Sequence, residues 1–207
     1  MNEHDAQIIK PQIPVKVKRL HPDAVIPKYA HEGDAGFDLV AVEDVIVEPG
    51  ETVKVPTGLA FELPPGYEMQ IRPRSGITLK TKLRVQLGTV DASYRGEINV
   101  IVDNFDYDAG PYDDELIDIT GNILRASDYF NVWDEFAIGS YLIRKGDRIA
   151  QAVINAVPHA IITEVNELSE SERGTGGFGS TGVSAHIMST DPWGKGDEIY
   201  EEDDANA

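Results

Sequence analysis

Runs of alternating apolar and polar residues recur along the first three-quarters of the chain and predict β-strands. VKVKR at 15–19 and YEMQIR at 67–72 alternate residue by residue, the period that sets one face of a strand on a core. DVIVEPG followed by ETVKVPTG, residues 44–58, predicts two strands paired through a turn at Pro49-Gly50. GEINVIVDN at 96–104 and DRIAQAVINAV at 147–157 are rich in Val and Ile and predict further, more apolar strands. With 12 prolines and 19 glycines punctuating these runs, and no helical period in the body or internal repeat, the expected class is all-β: a sandwich, jelly roll or barrel.

Residues 106–139, DYDAGPYDDELIDITGNILRASDYFNVWDEFAIG, break that rhythm. Tyr107, Tyr112, Tyr129, Phe130, Trp133 and Phe136 stand among acids, with Leu116, Ile117, Ile119, Ile123 and Leu124 between them. Disordered spacers carry few large apolar groups, so the segment reads as an insertion between two body strands, with a short helix in its second half. Its apolar groups are expected to pack on the body, a neighbouring subunit or a partner protein. One domain is expected over 1–182, followed by an acidic, solvated tail at 183–207.

Charge changes the picture only once it is located. The formal net charge is −18, but segments 103–135 and 191–207 carry −9 and −6 of it, so the remaining body is near neutral and keeps arginines for anions. The overall acidity excludes non-specific nucleic-acid binding, which needs a basic face. No apolar run is long enough to cross a bilayer, and MNEHDAQIIKPQ lacks a basic-then-apolar leader. Cysteine is absent, which removes disulfides, thiolate nucleophiles and Cys-held metals. A cytoplasmic location is expected, without membrane or nucleic-acid partners.

RGTGGFGSTG at 173–182 is half glycine, so it holds neither helix nor strand by itself. It reads as a flap that orders over a ligand. Gly174, Gly176 and Gly179 satisfy G-x-G-x-x-G, but a dinucleotide fingerprint needs a strand before and a helix after. Here NELSESE precedes and Ser180-Thr181-Gly182 follow. That reading fails on context.

Four further stretches carry chemistry: AGFDL at 35–39, RPRSG at 72–76, GTVDASYRGE at 88–97 and KGDRIAQ at 145–151. With the glycine-rich segment, and in this order, they resemble the five motifs of the trimeric dUTP pyrophosphatase (dUTPase) family. The resemblance covers about residues 13–105 and 140–182, leaves out the insertion, and is closest to phage-type members that carry an insertion between the third and fourth motifs. It implies a jelly-roll-like β-barrel subunit in a homotrimer, and a Mg²⁺-dependent hydrolase converting dUTP to dUMP and pyrophosphate. Hydrolysing a nucleoside triphosphate needs cations and N–H donors for phosphate, a base for water, and a check on the nucleoside. Arg74, Ser75 and Gly76 suit the α/β-phosphates, and Gln151 another phosphate oxygen. Arg173 suits the terminal phosphate with Ser180 and Thr181, and Phe178 the face of the uracil ring once the flap closes.

By the resemblance, Asp91 is the general base for the attacking water, and Tyr94 packs on the deoxyribose so that a ribose 2′-hydroxyl clashes. The backbone of Gly88, Thr89 and Val90 reads the uracil edge, and Asn99 and Gly179 join the substrate-binding set. Asp38 faces, through water, a Mg²⁺ that the triphosphate brings. Two departures stand out. Many members place an Asn six residues before the catalytic aspartate, where this chain has Val85 and where Gln86 is the expected substitute. Position 37 is Phe in place of Tyr. The acidic insertion is expected away from the phosphate end of the site, where it can serve a regulatory protein partner. A dCTP deaminase is the enzymatic rival, but it carries a glutamate where this chain has Ile101.

Overall fold

The computed structural model describes residues 12–107, 110–131 and 135–176. These residues fall into two units divided between Ala160 and Ile161. In chain order the first unit contains β1 (Lys16–Arg19), β2 (Phe37–Val40), β3 (Val45–Val47), β4 (Thr52–Glu62), β5 (Tyr67–Arg72), the short helix α1 (Ser75–Lys80), β6 (Leu83–Val85), β7 (Gly88–Asp91) and β8 (Glu97–Asn104). It continues with β9 (Tyr112–Asp113), β10 (Glu115–Asp118), β11 (Ile123–Arg125), a 3₁₀ turn (Ala126–Asp128), β12 (Phe136–Ala137), β13 (Tyr141–Ile143) and β14 (Arg148–Ala156). The class is all-β, as the alternation predicts. Among the described residues no helix is long and apolar enough to cross a membrane.

Among the described residues, the strands of the first unit form three four-stranded sheets, β1-β4-β8-β6, β11-β10-β13-β3 and β2-β14-β5-β7, and a β12-β9 ribbon. Alternation does its expected work in β8, where Ile98, Val100 and Val102 are buried and Ile101 is 43% exposed. In the first half of β14 both faces are covered, since Ile149, Ala150, Ala152 and Val153 are buried. Its alanines Ala150 and Ala152 keep the layer thin. A Cβ at Gly36 would lie 2.6 Å from the Ala152 carbonyl oxygen, so only glycine lets the start of β2 approach.

The expected hairpin over 44–58 does not form. β3 pairs with β13 and β4 pairs with β1 and β8, so the Pro49-Gly50 turn carries the chain from one sheet to another. Gly50 adopts φ +74°. Its N–H donates to the Asn104 carbonyl, and the Asn104 N–H donates to the Glu51 carbonyl, which fastens the turn to the end of β8. The local turn signal was sound, but non-local burial chose the strand partners.

The insertion belongs to the body. β10 runs parallel to β13, with Ile117 opposite Tyr141, and antiparallel to β11. Leu116, Ala126 and Leu142 form a second buried cluster, onto which Ile46, Leu124, Phe130 and Phe136 pack. The Phe130 and Phe136 rings lie 5.3 Å apart. The expected short helix is one 3₁₀ turn, and Trp133 lies outside the described residues.

The second unit is described as far as Gly176. A turn there carries Gly174 at φ +53°, and the Gly174 N–H meets the Ser171 carbonyl. Arg173 Nε donates to the Gly176 carbonyl at 2.8 Å.

Candidate functional site

Asp38, Gln151 and Arg72 lie side by side across β2, β14 and β5, since Gln151 is opposite both of the others. Their buried neighbours Leu39, Ala150, Ala152 and Ile71 face the core, so the strand period turns all three toward the outer face. Beyond Arg72 the chain turns through Pro73 into α1, and Arg74 stands at the cap position of that helix. The segment PRSG is therefore delivered directly above the Asp38–Gln151 row.

Asp38 is the hinge of this arrangement. Its Oδ1 accepts from Arg74 Nε at 2.9 Å, and its Oδ2 accepts from Arg148 Nη1 at 3.1 Å. Arg74 Nη1 donates to the Arg148 carbonyl at 2.8 Å, and Gln151 Nε2 donates to the Pro73 carbonyl at 2.9 Å. The register shift between Arg148 and Ala150 gives β14 the local twist that turns Arg148 back toward Asp38. Arg148 gives no signal of its own in the sequence, although it sits inside KGDRIAQ, three residues before Gln151.

These groups open on a cavity of about 490 Å³, lined by Asp38, Arg74, Ser75, Gly76 and Gln151 among others, a size that suits a small-molecule ligand. A Cβ on Gly76 would meet nothing within 4 Å, so the missing side chain leaves open space. Lys28 and Lys80 also line the cavity. Neither was singled out in the sequence, where isolated lysines give no signal.

Ile119 and Thr120 of the insertion line the same cavity. The insertion thus lies beside the residues selected for phosphate, where the expectation set it away from them. The acids of the insertion do not stop it, because the acid beside the wall is turned inward. Asp118 is 5% exposed, and its Oδ1 accepts from the Thr120 N–H, the Thr120 hydroxyl and the Asn122 N–H. Burial pushes the Asp118 carboxyl up, but the bonds from Thr120 and Asn122 outweigh it and hold the group below the usual carboxylate range.

The residues of the third motif occupy another place. β7 is an edge strand, with Gly88 opposite Ile71 and Asp91 opposite Glu68. Asp91 and Thr89 are exposed, while Gly88 and Val90 are partly buried. The Tyr94 N–H closes a turn on the Asp91 carbonyl, and Tyr94 Oη donates to the Glu97 carbonyl at 3.1 Å. Its ring fills the space over Gly96, where a Cβ would lie 2.3 Å from the hydroxyl. Asn99 Nδ2 reaches the Glu97 carbonyl at 3.3 Å. The Gln86 amide donates to Asp103 Oδ2, and Asp103 Oδ1 accepts from Thr52. Val85 is buried opposite Val102, so the position that holds Asn in many members is core here.

Gln151 is opposite Arg72 on β5, whereas Asp91 is opposite Glu68. Four residues of strand separate them, about 13 Å at roughly 3.3 Å each. Between them the outer face of β5 carries a polar ladder in which Arg72 donates to Gln70 and Gln70 donates to Glu68. One chain thus brings Asp38, Arg74, Ser75, Gly76 and Gln151 together and holds Asp91, Tyr94 and Asn99 apart from them. Arg173 belongs to the second unit, and Phe178, Gly179, Ser180 and Thr181 lie outside the described residues.

The chain is similar to known proteins over most of its length. A family model described as dUTPase matches residues 23–109 and 136–182, on both sides of the insertion. The deoxyuridine 5′-triphosphate nucleotidohydrolase of Picosynechococcus sp. is 43% identical over 171 residues, which cover 82% of this chain and 99% of that protein. The dUTPase of Staphylococcus bacteriophage 80alpha, solved with dUPNHPP, superposes with a TM-score of 0.76 at 35% identity, over 82% of this chain and 99% of that one. A mutant dUTPase from phage phi11 of S. aureus, described with a structural Mg(II) ion, gives 0.70 at 30% identity, over 76% and 99%.

Proposed function

The chain belongs to the dUTPase family, and from that membership we propose that it hydrolyses dUTP to dUMP and pyrophosphate. The observation that carries the reading is the Arg74-Ser75-Gly76 cradle, oriented by Asp38 and opening on the cavity beside Gln151. Preorganised cations and N–H donors are what a triphosphate requires. Water attacks the α-phosphorus, Asp91 accepts its proton, and the bond to the bridging oxygen breaks to release pyrophosphate. Tyr94 excludes the 2′-hydroxyl of UTP, and the backbone at 88–90 meets the uracil edge. From the flap, Arg173, Ser180 and Thr181 serve the terminal phosphate, and Phe178 covers the base.

Asp91 lies too far along β5 from its own chain's cradle for a water bridge, since a base acts within hydrogen-bond reach. The complete site is therefore assembled between copies in a homotrimer, with Asp91 of one chain entering beside the cradle of the next and the flap reaching a neighbour. Light scattering that returns a monomer for fully active protein would sink this assembly.

Among the described residues no three His, Cys, Asp or Glu side chains gather to hold a metal. Asp38, with both oxygens already accepting from arginines, fits the role of touching a hydrated Mg²⁺ carried by the triphosphate. Bound in that way, Mg²⁺ neutralises phosphate charge. Arg74 and Gln151 orient the chain of phosphates, and Asp91 acts on the attacking water.

The deaminase reading lacks its carboxylate, because position 101 is an exposed isoleucine. A partner role for residues 106–139 is narrowed, because Leu116, Leu124, Phe130 and Phe136 pack on the body while Tyr107, Tyr112 and Ile123 stay exposed. Incubation with each deoxynucleoside triphosphate and Mg²⁺ tests the function. dUMP and pyrophosphate from dUTP alone are expected, and hydrolysis of every nucleotide alike would overturn it.

A further inference from the structure

The insertion does more than extend a sheet. We propose that the turn at residues 118–122 is a working wall of the triphosphate pocket, positioning the phosphate cradle through α1. The inference rests on the dUTPase reading and assigns the insertion a part in that same site.

Four features converge on this turn. Ile119 and Thr120 line the cavity that contains Arg74, Ser75, Gly76 and Gln151. The turn is rigid, because Asp118 accepts from Thr120 and Asn122, and the Asp118 N–H donates to the Asn122 carbonyl at 2.9 Å. Arg144, at the end of β13, reaches Asp118 Oδ2 at 3.7 Å and ties the turn to the body. Finally, Gly121 sits at φ +86° with its would-be Cβ 2.8 Å from the Lys80 carbonyl oxygen. Lys80 ends α1, the helix that begins beside Arg74. The inserted turn therefore butts against one end of the six-residue helix whose other end presents Ser75 and Gly76.

This geometry gives the wall two consequences. First, Thr120 meets the cavity as an exposed, neutral side chain, although the insertion is strongly acidic. Asp118 is buried and committed to the turn, so its charge faces away from the ligand. A carboxylate placed at 120 would stand in the triphosphate's own cavity. Second, any side chain at 121 displaces α1 or the turn, and so loosens the cradle without touching the reacting atoms.

Thr120→Glu, Thr120→Gln and the control Ile123→Glu test the wall directly; Ile123 is exposed on β11. Thr120→Glu is expected to raise KM for dUTP about tenfold at low salt with kcat near wild type, and the loss shrinks as salt screens it. Thr120→Gln, similar in size and without charge, is expected to recover most of the affinity, and Ile123→Glu to match wild type. A Thr120→Glu KM equal to that of Thr120→Gln overturns the proposal. Should Thr120→Glu fail to fold, Gly121→Asn replaces it, since Asn tolerates positive φ but keeps the Cβ. Its control is Gly66→Asn, where φ is +84° and the Cβ meets nothing within 4 Å. A KM raised about fivefold in Gly121→Asn alone supports the wall, and parity with Gly66→Asn overturns it. Binding of inorganic tripolyphosphate by calorimetry separates the two readings. If the wild type does not hydrolyse dUTP, the dUTPase reading fails. The wall then stands if Thr120→Glu weakens tripolyphosphate relative to Thr120→Gln, and falls if the two bind it alike.

Discussion

Replacing Asp38 by alanine removes the carboxylate that two arginines share, and two opposite effects follow. A negative charge beside the phosphates disappears, which favours binding. Arg74 and Arg148 lose the acceptor that holds them, which disfavours it. Asp38 contacts them at 2.9 and 3.1 Å, with side chains 31% and 60% exposed. The Arg148 pair counts for little at that exposure, typically about 0–1 kcal/mol. The Arg74 pair is better sheltered, and a charge-assisted hydrogen bond contributes about 1.5–3 kcal/mol before solvent screening reduces it. The net expected loss of stability is about 1–2 kcal/mol, or roughly 2–8 °C in Tm for a chain of this size. The repulsion relieved is smaller, because the carboxylate is already offset by two cations and the cavity is wet; a unit pair at about 4 Å in water is worth only about 1 kcal/mol. Misorientation of Arg74 therefore wins, and KM for dUTP is expected to rise about tenfold in Asp38→Ala. Asp38→Asn retains one acceptor oxygen and should fall between wild type and alanine. Initial rates by pyrophosphate release at saturating Mg²⁺, over a range of dUTP, give the comparison. A KM that falls in both variants would show that repulsion dominates, and the positioning argument would be wrong.

Asp91→Asn is expected to lower kcat by about 10²–10⁴-fold while dUTP binding persists, since an amide nitrogen cannot take up water's proton; near-normal turnover would remove Asp91 as the base. Tyr94→Ala should raise UTP hydrolysis relative to dUTP, and an equal loss on both nucleotides contradicts its place against the sugar. Replacing residues 106–138 by a short Gly-Ser loop should lower both stability and dUTP affinity, because it removes Leu116, Ala126 and the Ile119–Thr120 wall; unchanged thermal unfolding and KM would count against an integrated insertion. The Asp118 carboxyl lies below its usual range in the folded chain, so its contribution is present above the unfolded value of about 3.9 and is lost as pH falls through the lower folded value. Asp118→Asn should accordingly flatten acid unfolding below about pH 4, and an acid limb identical to wild type would contradict the role of its hydrogen bonds.

Strand positions were legible in the longer alternating runs, while short strands such as β2, β6, β10 and β13 gave no separate signal. YEMQIR became β5 residue for residue, and DRIAQAVINAV contains the whole of β14. Pairing was not legible. The Pro49-Gly50 turn forms where the residues demand it, yet β3 joins β13 because Val47 is buried with the main core while Ile46 packs on the second cluster. Such two-sided demands appear only when sequence-distant strands are assembled. The insertion failed for a related reason. Its apolar groups called for packing and find it on the body, but its acidity argued for a place away from the Arg74 segment, whereas Asp118 is consumed by its own turn and Ile119 and Thr120 line the same cavity as Arg74.

Site residues divide along the same line. Arg74, Ser75, Gly76, Asp38 and Gln151 were legible because their short segments, in order, resemble the dUTPase motifs, and strand register sets Asp38 beside Gln151. Thr120, Lys28 and Lys80 carry no such local signal, because their relevance comes from the cavity they happen to share. The same register that unites the cradle also separates it from Asp91 by four residues of β5. A strand is stiff, so no side-chain rotation closes that gap. On the site proposed above, that separation is the reason for placing Asp91, at the end of edge strand β7, and Tyr94, in the turn beyond it, beside the cradle of another copy.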